Sequence, residues 1–156
     1  FLTCKDWIRL NLTNEFNNDH TERAVAPGDI KKADFVIIRT GQMERCLSEN
    51  QWGGYAGGDA PGVKFENCYW CHEKEIAAIC SDTWGVEVRP NETSEANQPW
   101  HWVVIPAMGL CMGEIFYLKE LAEDCAADGV YEFFFCGPPL IITGGTGSPI
   151  NPQVFK

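Results

Sequence analysis

Ala33-Asp34-Phe35-Val36-Ile37-Ile38-Arg39-Thr40-Gly41 is the stretch on which the fold class turns. Phe35 to Arg39 reads as a buried strand, because its apolar run is short, mostly β-branched and closed by the turn-forming pair Thr40-Gly41. Downstream, strand and helix signals alternate. A helix is predicted from Asn67 to Ala78, followed by a short strand up to Cys80 and the loop Ser81-Asp82-Thr83-Trp84-Gly85. Pro90 to Pro99 is polar and proline-bounded, hence a surface loop. The aromatic and β-branched run Trp102 to Ile105 reads as a strand, and Glu114 to Ala127 as a helix with Ile115, Leu118, Leu121, Ala122 and Cys125 on one face and Gly129 capping it. Tyr131 to Phe135 and Leu140 to Thr143 are predicted strands. Together these signals give an α/β domain with a mixed β-sheet flanked by helices.

Upstream of this stretch the composition changes. Residues 1–32 are polar and asparagine-rich and read as a connector, whereas residues 33–156 form the domain. The glycine-rich loop Gly53 to Gly62 lacks the Lys-Ser/Thr ending of a phosphate loop, which argues against nucleotide binding. A net charge of −10 argues against nucleic acid or an anionic membrane as partner, since phosphate recognition needs clustered Lys and Arg. No apolar run approaches the roughly 18 residues of a membrane span. A soluble, cytoplasmic protein is expected. The chain starts at Phe1 without an initiator Met or a signal-like stretch, which suggests a processed product or a fragment.

Eight cysteines fall inside apolar helix and strand patterns instead of punctuating loops, so reduced, buried thiols are expected. Cys68-Tyr69-Trp70-Cys71-His72 matches the attachment motif of c-type haem, but it leads directly into an ordinary amphipathic helix. Zinc held by Cys68, Cys71 and Cys80 would lack the second C-x-x-C that completes a tetrahedron.

Chemistry concentrates between Pro99 and Glu114. If His101 lies on a strand and Glu114 opens the following helix, a short turn brings both to one end of a sheet, where α/β sites form. Imidazole nitrogen and carboxylate oxygen are a competent pair for zinc or manganese. Each residue also has a plain structural reading. His101 could be a core histidine satisfied by backbone, and Glu114 could be favoured by a helix dipole. Asp82 and Thr83 suit a turn, or they could orient His101 from behind. Trp84, Trp100 and Trp102 could pack the core, or they could frame an aromatic substrate.

In order along the chain, the Arg39-Thr40-Gly41 strand, Asp59-Ala60-Pro61-Gly62, Glu73 to Ala78 leading to Ser81-Asp82-Thr83-Trp84-Gly85-Val86-Glu87, His101 to Glu114, and Pro139-Leu140 to Pro149 resemble the later half of the cyclase family of metal-dependent hydrolases. Bacterial kynurenine formamidase and isatin hydrolase belong to that family. The resemblance spans residues 33 to 155 and implies a swivelling β/β/α fold. It also implies hydrolysis of an amide or lactam of a small, aromatic substrate by water activated on zinc or manganese. On this resemblance Glu114 and His101 are metal ligands, with His101 also a candidate proton relay. Family members carry an earlier H-x-G-T-H-x-D-x-P-x-H stretch that supplies most ligands, and this chain has only His20, His72 and His101. The metal site is therefore expected to be completed by an N-terminal segment absent here. The expected partners are a small-molecule substrate and either a second copy or that missing half. Two other possibilities are a non-catalytic relative that has lost the metal and a haem or zinc module built on Cys68, Cys71 and His72.

Overall fold

A computed structural model of the chain describes residues 2–3 and 30–156. The run at Phe35–Ile38 is strand β2, with every residue buried, and it pairs in parallel with β3 (Ala78–Ser81), which pairs in parallel with β4 (Cys111–Gly113). Side chains alternate across a strand, so the continuous apolar run feeds two separate cores. Val36 and Ile38 pack with Ile79, Cys68, Cys71, Val86, Trp100 and Val104 on one side. Phe35 and Ile37 pack with Cys80, Phe116, Leu118, Cys125 and Phe133 on the other.

The first core is roofed by α2 (Asn67–Lys74) and α3 (Pro99–Val104). The second is closed by α4 (Lys119–Asp128) and an antiparallel sheet in the order β1-β5-β6, made of β1 (Leu2–Thr3), β5 (Glu132–Cys136) and β6 (Gln153–Phe155). Phe135 ties the two sheets, its ring centroid 4.7 Å from Phe35 and 6.3 Å from Phe116. Parallel and antiparallel pairing thus coexist in an α/β fold flanked by helices, as the sequence implies. No helix among the described residues is long and apolar enough to cross a membrane.

Several element assignments differ from those expectations. His101 lies on a helix, α3, because Pro99 occupies its first turn and Trp100 and Val104, four apart, face the core together. The strand falls instead at Cys111–Gly113, and Glu114 sits in the loop that follows it. The next helix starts only at Lys119, because Ile115 adopts a positive φ of 62° that a helix cannot continue through. Leu140 to Thr143 forms no strand, and β6 takes the place beside β5. An additional helix, α1 (Gln42–Glu49), follows the Arg39-Thr40-Gly41 turn, with Met43 and Cys46 buried against Tyr55. Of the connector, Leu2–Thr3 pairs with β5, while 4–29 lie outside the described residues.

All seven described cysteines are free, and Cys46, Cys68, Cys71, Cys80 and Cys125 are buried. Burial pushes the Cys71 thiol up to about 12, so with no metal bound it stays protonated. His72 faces outward while Cys68 and Cys71 point into the core, so the C-x-x-C-H motif presents no common site.

Candidate functional site

The short helix α3 is held at its start by a buried carboxylate from another loop. Glu87, 3% exposed, accepts hydrogen bonds from the backbone N–H groups of Trp100 at 3.1 Å and His101 at 3.3 Å. The same oxygen that takes the His101 amide, Oε2, lies 2.7 Å from His101 Nδ1. Glu87 is fixed in turn by its neighbours. Val86 and Val88 are buried, and their backbones pair with Val63 through bonds of 2.9 and 3.0 Å. Gly62 lets the two chains approach that closely, because a Cβ there would sit 2.5 Å from the Glu87 carbonyl carbon and 2.6 Å from the Val88 nitrogen.

On the far side of the ring, His101 Nε2 lies 3.3 Å from Glu114 Oε1. The loop carrying Glu114 is pinned to the end of β3 by Ile115 N–H donating to the Thr83 carbonyl at 2.9 Å and Phe116 N–H to the Ser81 carbonyl at 3.1 Å. The His101 side chain is 14% exposed and Glu114 34%, so the histidine is the sheltered member and the glutamate the one facing solvent. Burial pulls the His101 pKa down, but hydrogen bonds and charge from Glu114 and Glu87 outweigh it and raise the value to about 9. The ring is an imidazolium bridging two carboxylates near neutral pH when no metal competes for it.

His101 and Glu114 are thus brought together, with the Trp100 ring edge-on to His101 at 5.5 Å between centroids, and the remaining candidates serve other contacts. The Asp82 carboxylate accepts from Thr40 N–H at 2.7 Å, Thr40 Oγ1 at 2.9 Å and Gly41 N–H at 2.8 Å, so it anchors the turn into α1. Thr83 Oγ1 accepts from Val86 N–H at 3.1 Å and is wholly buried. The group against His101 Nδ1 is Glu87, in place of either. Trp100 is fully buried in the core, and Trp84 packs on Met43, Cys46 and Tyr55 while donating to the Gly58 carbonyl at 3.2 Å. Of the three tryptophans, Trp102, 72% exposed on α3, is the one that offers a solvent-facing aromatic surface. A separate cavity of about 330 Å³ is lined by Ile37, Phe116, Leu118, Phe135, Val154 and Lys156 among others, and none of the three site residues borders it. Glu87 was not singled out from sequence. The available signal was a carboxylate between two valines, Val86-Glu87-Val88, since a charge inside an apolar run is buried only when paired.

A family model described as "Putative cyclase" matches residues 10–88, half of the chain. The chain belongs to the cyclase family. Among solved structures it is similar to one described as a novel cyclase, at 35% identity and a TM-score of 0.70, covering 82% of this chain and 42% of that one. It also shares the fold of an isatin hydrolase bound to the product analogue thioisatinate, at 22% identity and a TM-score of 0.60, covering 80% of this chain and 46% of that one. The chain therefore spans less than half the length of either. No curated protein matches it. The family match takes in Asp82 and Glu87 but stops short of His101 and Glu114, so the site's two solvent-side groups rest on the structure.

The donor set of this cyclase-family chain suits part of a metal's coordination shell. Two ligand atoms about 2.0–2.1 Å from one tetrahedral ion lie about 3.3–3.4 Å apart, close to the Nε2 to Oε1 distance here. A carboxylate on the other ring nitrogen is also the usual companion of a ligating histidine. Among the described residues, no group of three or more His, Cys, Asp or Glu side chains is arranged to hold an ion, so these two groups fit a shared site and do not complete one.

Proposed function

We propose that the protein is a metal-dependent hydrolase that cleaves the C–N bond of an amide or lactam in a small aromatic substrate. Membership of the cyclase family and the fold shared with an isatin hydrolase support this reading. The observation that carries it is the line Glu87, His101, Glu114, with Nε2 and Oε1 facing each other at 3.3 Å. His101 Nε2 and a Glu114 oxygen would hold zinc or manganese together with ligands from a segment outside this chain. The ion would supply a Lewis acid and lower the pKa of water toward neutrality. Glu114, at the solvent edge, would offer its second oxygen to a proton, whereas His101, ligating through Nε2 and keeping its Nδ1 proton against Glu87, would hold the ion and relay no proton while it does so. Trp102, exposed on the same helix as His101, offers an aromatic face suited to an N-formyl arylamine, as a kynurenine formamidase takes, or to an isatin-like lactam.

Elemental analysis of the full-length protein after reconstitution with zinc or manganese tests the reading. The expected result is stoichiometric metal in the wild type and a clear loss in His101→Ala and Glu114→Ala. Wild-type protein without metal, or variants that retain it fully, would contradict the assignment and leave the non-catalytic relative in its place.

A further inference from the structure

We propose that Glu87 is a positioning residue that locks the His101 ring with Nδ1 as its proton-bearing nitrogen and so commits Nε2 to face Glu114. The inference rests on the metal-site reading above and assigns a part to a residue that lies within the family-like stretch but is given no role there.

The geometry separates this role from simple support of a helix. Holding the start of α3 needs only oxygen atoms near the free backbone N–H groups, and Glu87 Oε1 and Oε2 meet those of Trp100 and His101. The shortest of the contacts is not to backbone, however. It is the 2.7 Å approach of Oε2 to the imidazole, in the range of charge-assisted bonds. One oxygen therefore receives both the amide and the ring of the same residue, and only Nδ1, the nitrogen nearer the backbone, can share an acceptor with that amide. A ring turned over would place a carbon against the carboxylate. Asn91 Nδ2 reaches the other oxygen, Oε1, at 3.5 Å, while Oε2 takes the amide and ring of His101. At 3% exposure Glu87 is shielded from bulk solvent, so the ring contact is part of what makes its burial tolerable. The clamp is itself rigid, since Glu87 is seated between two buried valines on a segment paired with Val63.

The test uses the full-length protein with cobalt(II) as the probe metal, in wild type, Glu87→Gln and Glu87→Asp. Cobalt affinity is measured by chelator competition, and proton spectra of the cobalt form report exchangeable ring N–H signals. The wild type is expected to show a shifted, exchangeable N–H proton that disappears in His101→Gln. Glu87→Gln should bind cobalt about 10- to 100-fold more weakly and lose or displace that proton signal. Glu87→Asp, which keeps the charge but withdraws it by one methylene, should fall between. It also decides the matter if Glu87→Gln does not fold. A folded variant of either kind with wild-type cobalt affinity and an unmoved N–H signal would overturn the positioning role while leaving the metal site standing. Failure of the wild type itself to bind cobalt would overturn the metal site and this inference with it.

Discussion

His101 is where local chemistry and stability meet. With the metal absent, its folded pKa of about 9 lies above the ordinary histidine value near 6.5. The sign follows: the charged ring stabilises the fold fully below about pH 6.5, and that contribution fades as pH rises through about 9. It should amount to something on the order of 1–3 kcal/mol. Denaturant unfolding of metal-free wild type and His101→Gln at pH 6 and pH 10 should show a stability gap that narrows at the higher pH. A gap independent of pH would contradict the bridged imidazolium. On the proposed function, His101→Ala in the metal-loaded protein is expected to lower turnover by at least about 10²-fold. Melting temperature and turnover read on one preparation separate this from a purely structural loss, because a variant that melts early yet turns over normally would remove His101 from the chemistry. That His101 and Glu114 meet was legible in the sequence, although the structure brings them together from a helix and a loop in place of a strand and a helix. Their companion Glu87 was not, because its meaning depends on a fold that brings it against a residue fourteen positions away.

At the scale of elements, the buried strand at Phe35–Ile38 was legible because a two-sided burial leaves an unbroken apolar run. The helix α3 was not. Trp102, Val103 and Val104 carry strand preference, and tertiary contacts override it: Pro99 presets the first turn, and a distant carboxylate satisfies the free N–H groups. The Trp100 to Val104 spacing and the proline at the start were the helical signals available. Near the other end of this unit, Ile115 at positive φ shows why Glu114 opens no helix despite a good amphipathic pattern behind it. Gly62 tests whether the pairing beneath Glu87 matters. Gly62→Ala places a Cβ against the Glu87 and Val88 backbone, and should cost on the order of 1–3 kcal/mol in unfolding free energy. Because the pairing seats Glu87, the same substitution should weaken metal binding in whatever fraction stays folded. Gly62→Ala with unchanged unfolding and metal affinity would show that the loop carrying Glu87 is free to shift.

Over the whole molecule, the α/β class follows from alternating elements, but the split into a parallel and an antiparallel sheet does not. It depends on β5 pairing with β1 at one edge and β6 at the other, contacts between parts of the chain far apart in sequence. The antiparallel sheet leaves Phe134 and Phe155 about half exposed with their rings 6.0 Å apart, and Leu140, Ile141 and Ile142 also face outward. Apolar surface of this kind is uncommon on a solitary soluble domain. Residues 1–156 expressed alone are therefore expected to associate, and sedimentation showing a clean monomer would count against a covered surface. The same chain should be inactive, since the two ligands found among the described residues do not retain an ion against water. The most direct measurement is turnover of an N-formyl arylamine and of an isatin-like lactam by the full-length protein before chelation, after it, and after zinc or manganese is restored. The expected result is hydrolysis of at least one substrate that disappears with the chelator and returns with the metal. Turnover that persists undiminished in the stripped protein would contradict the metal centre at His101 and Glu114.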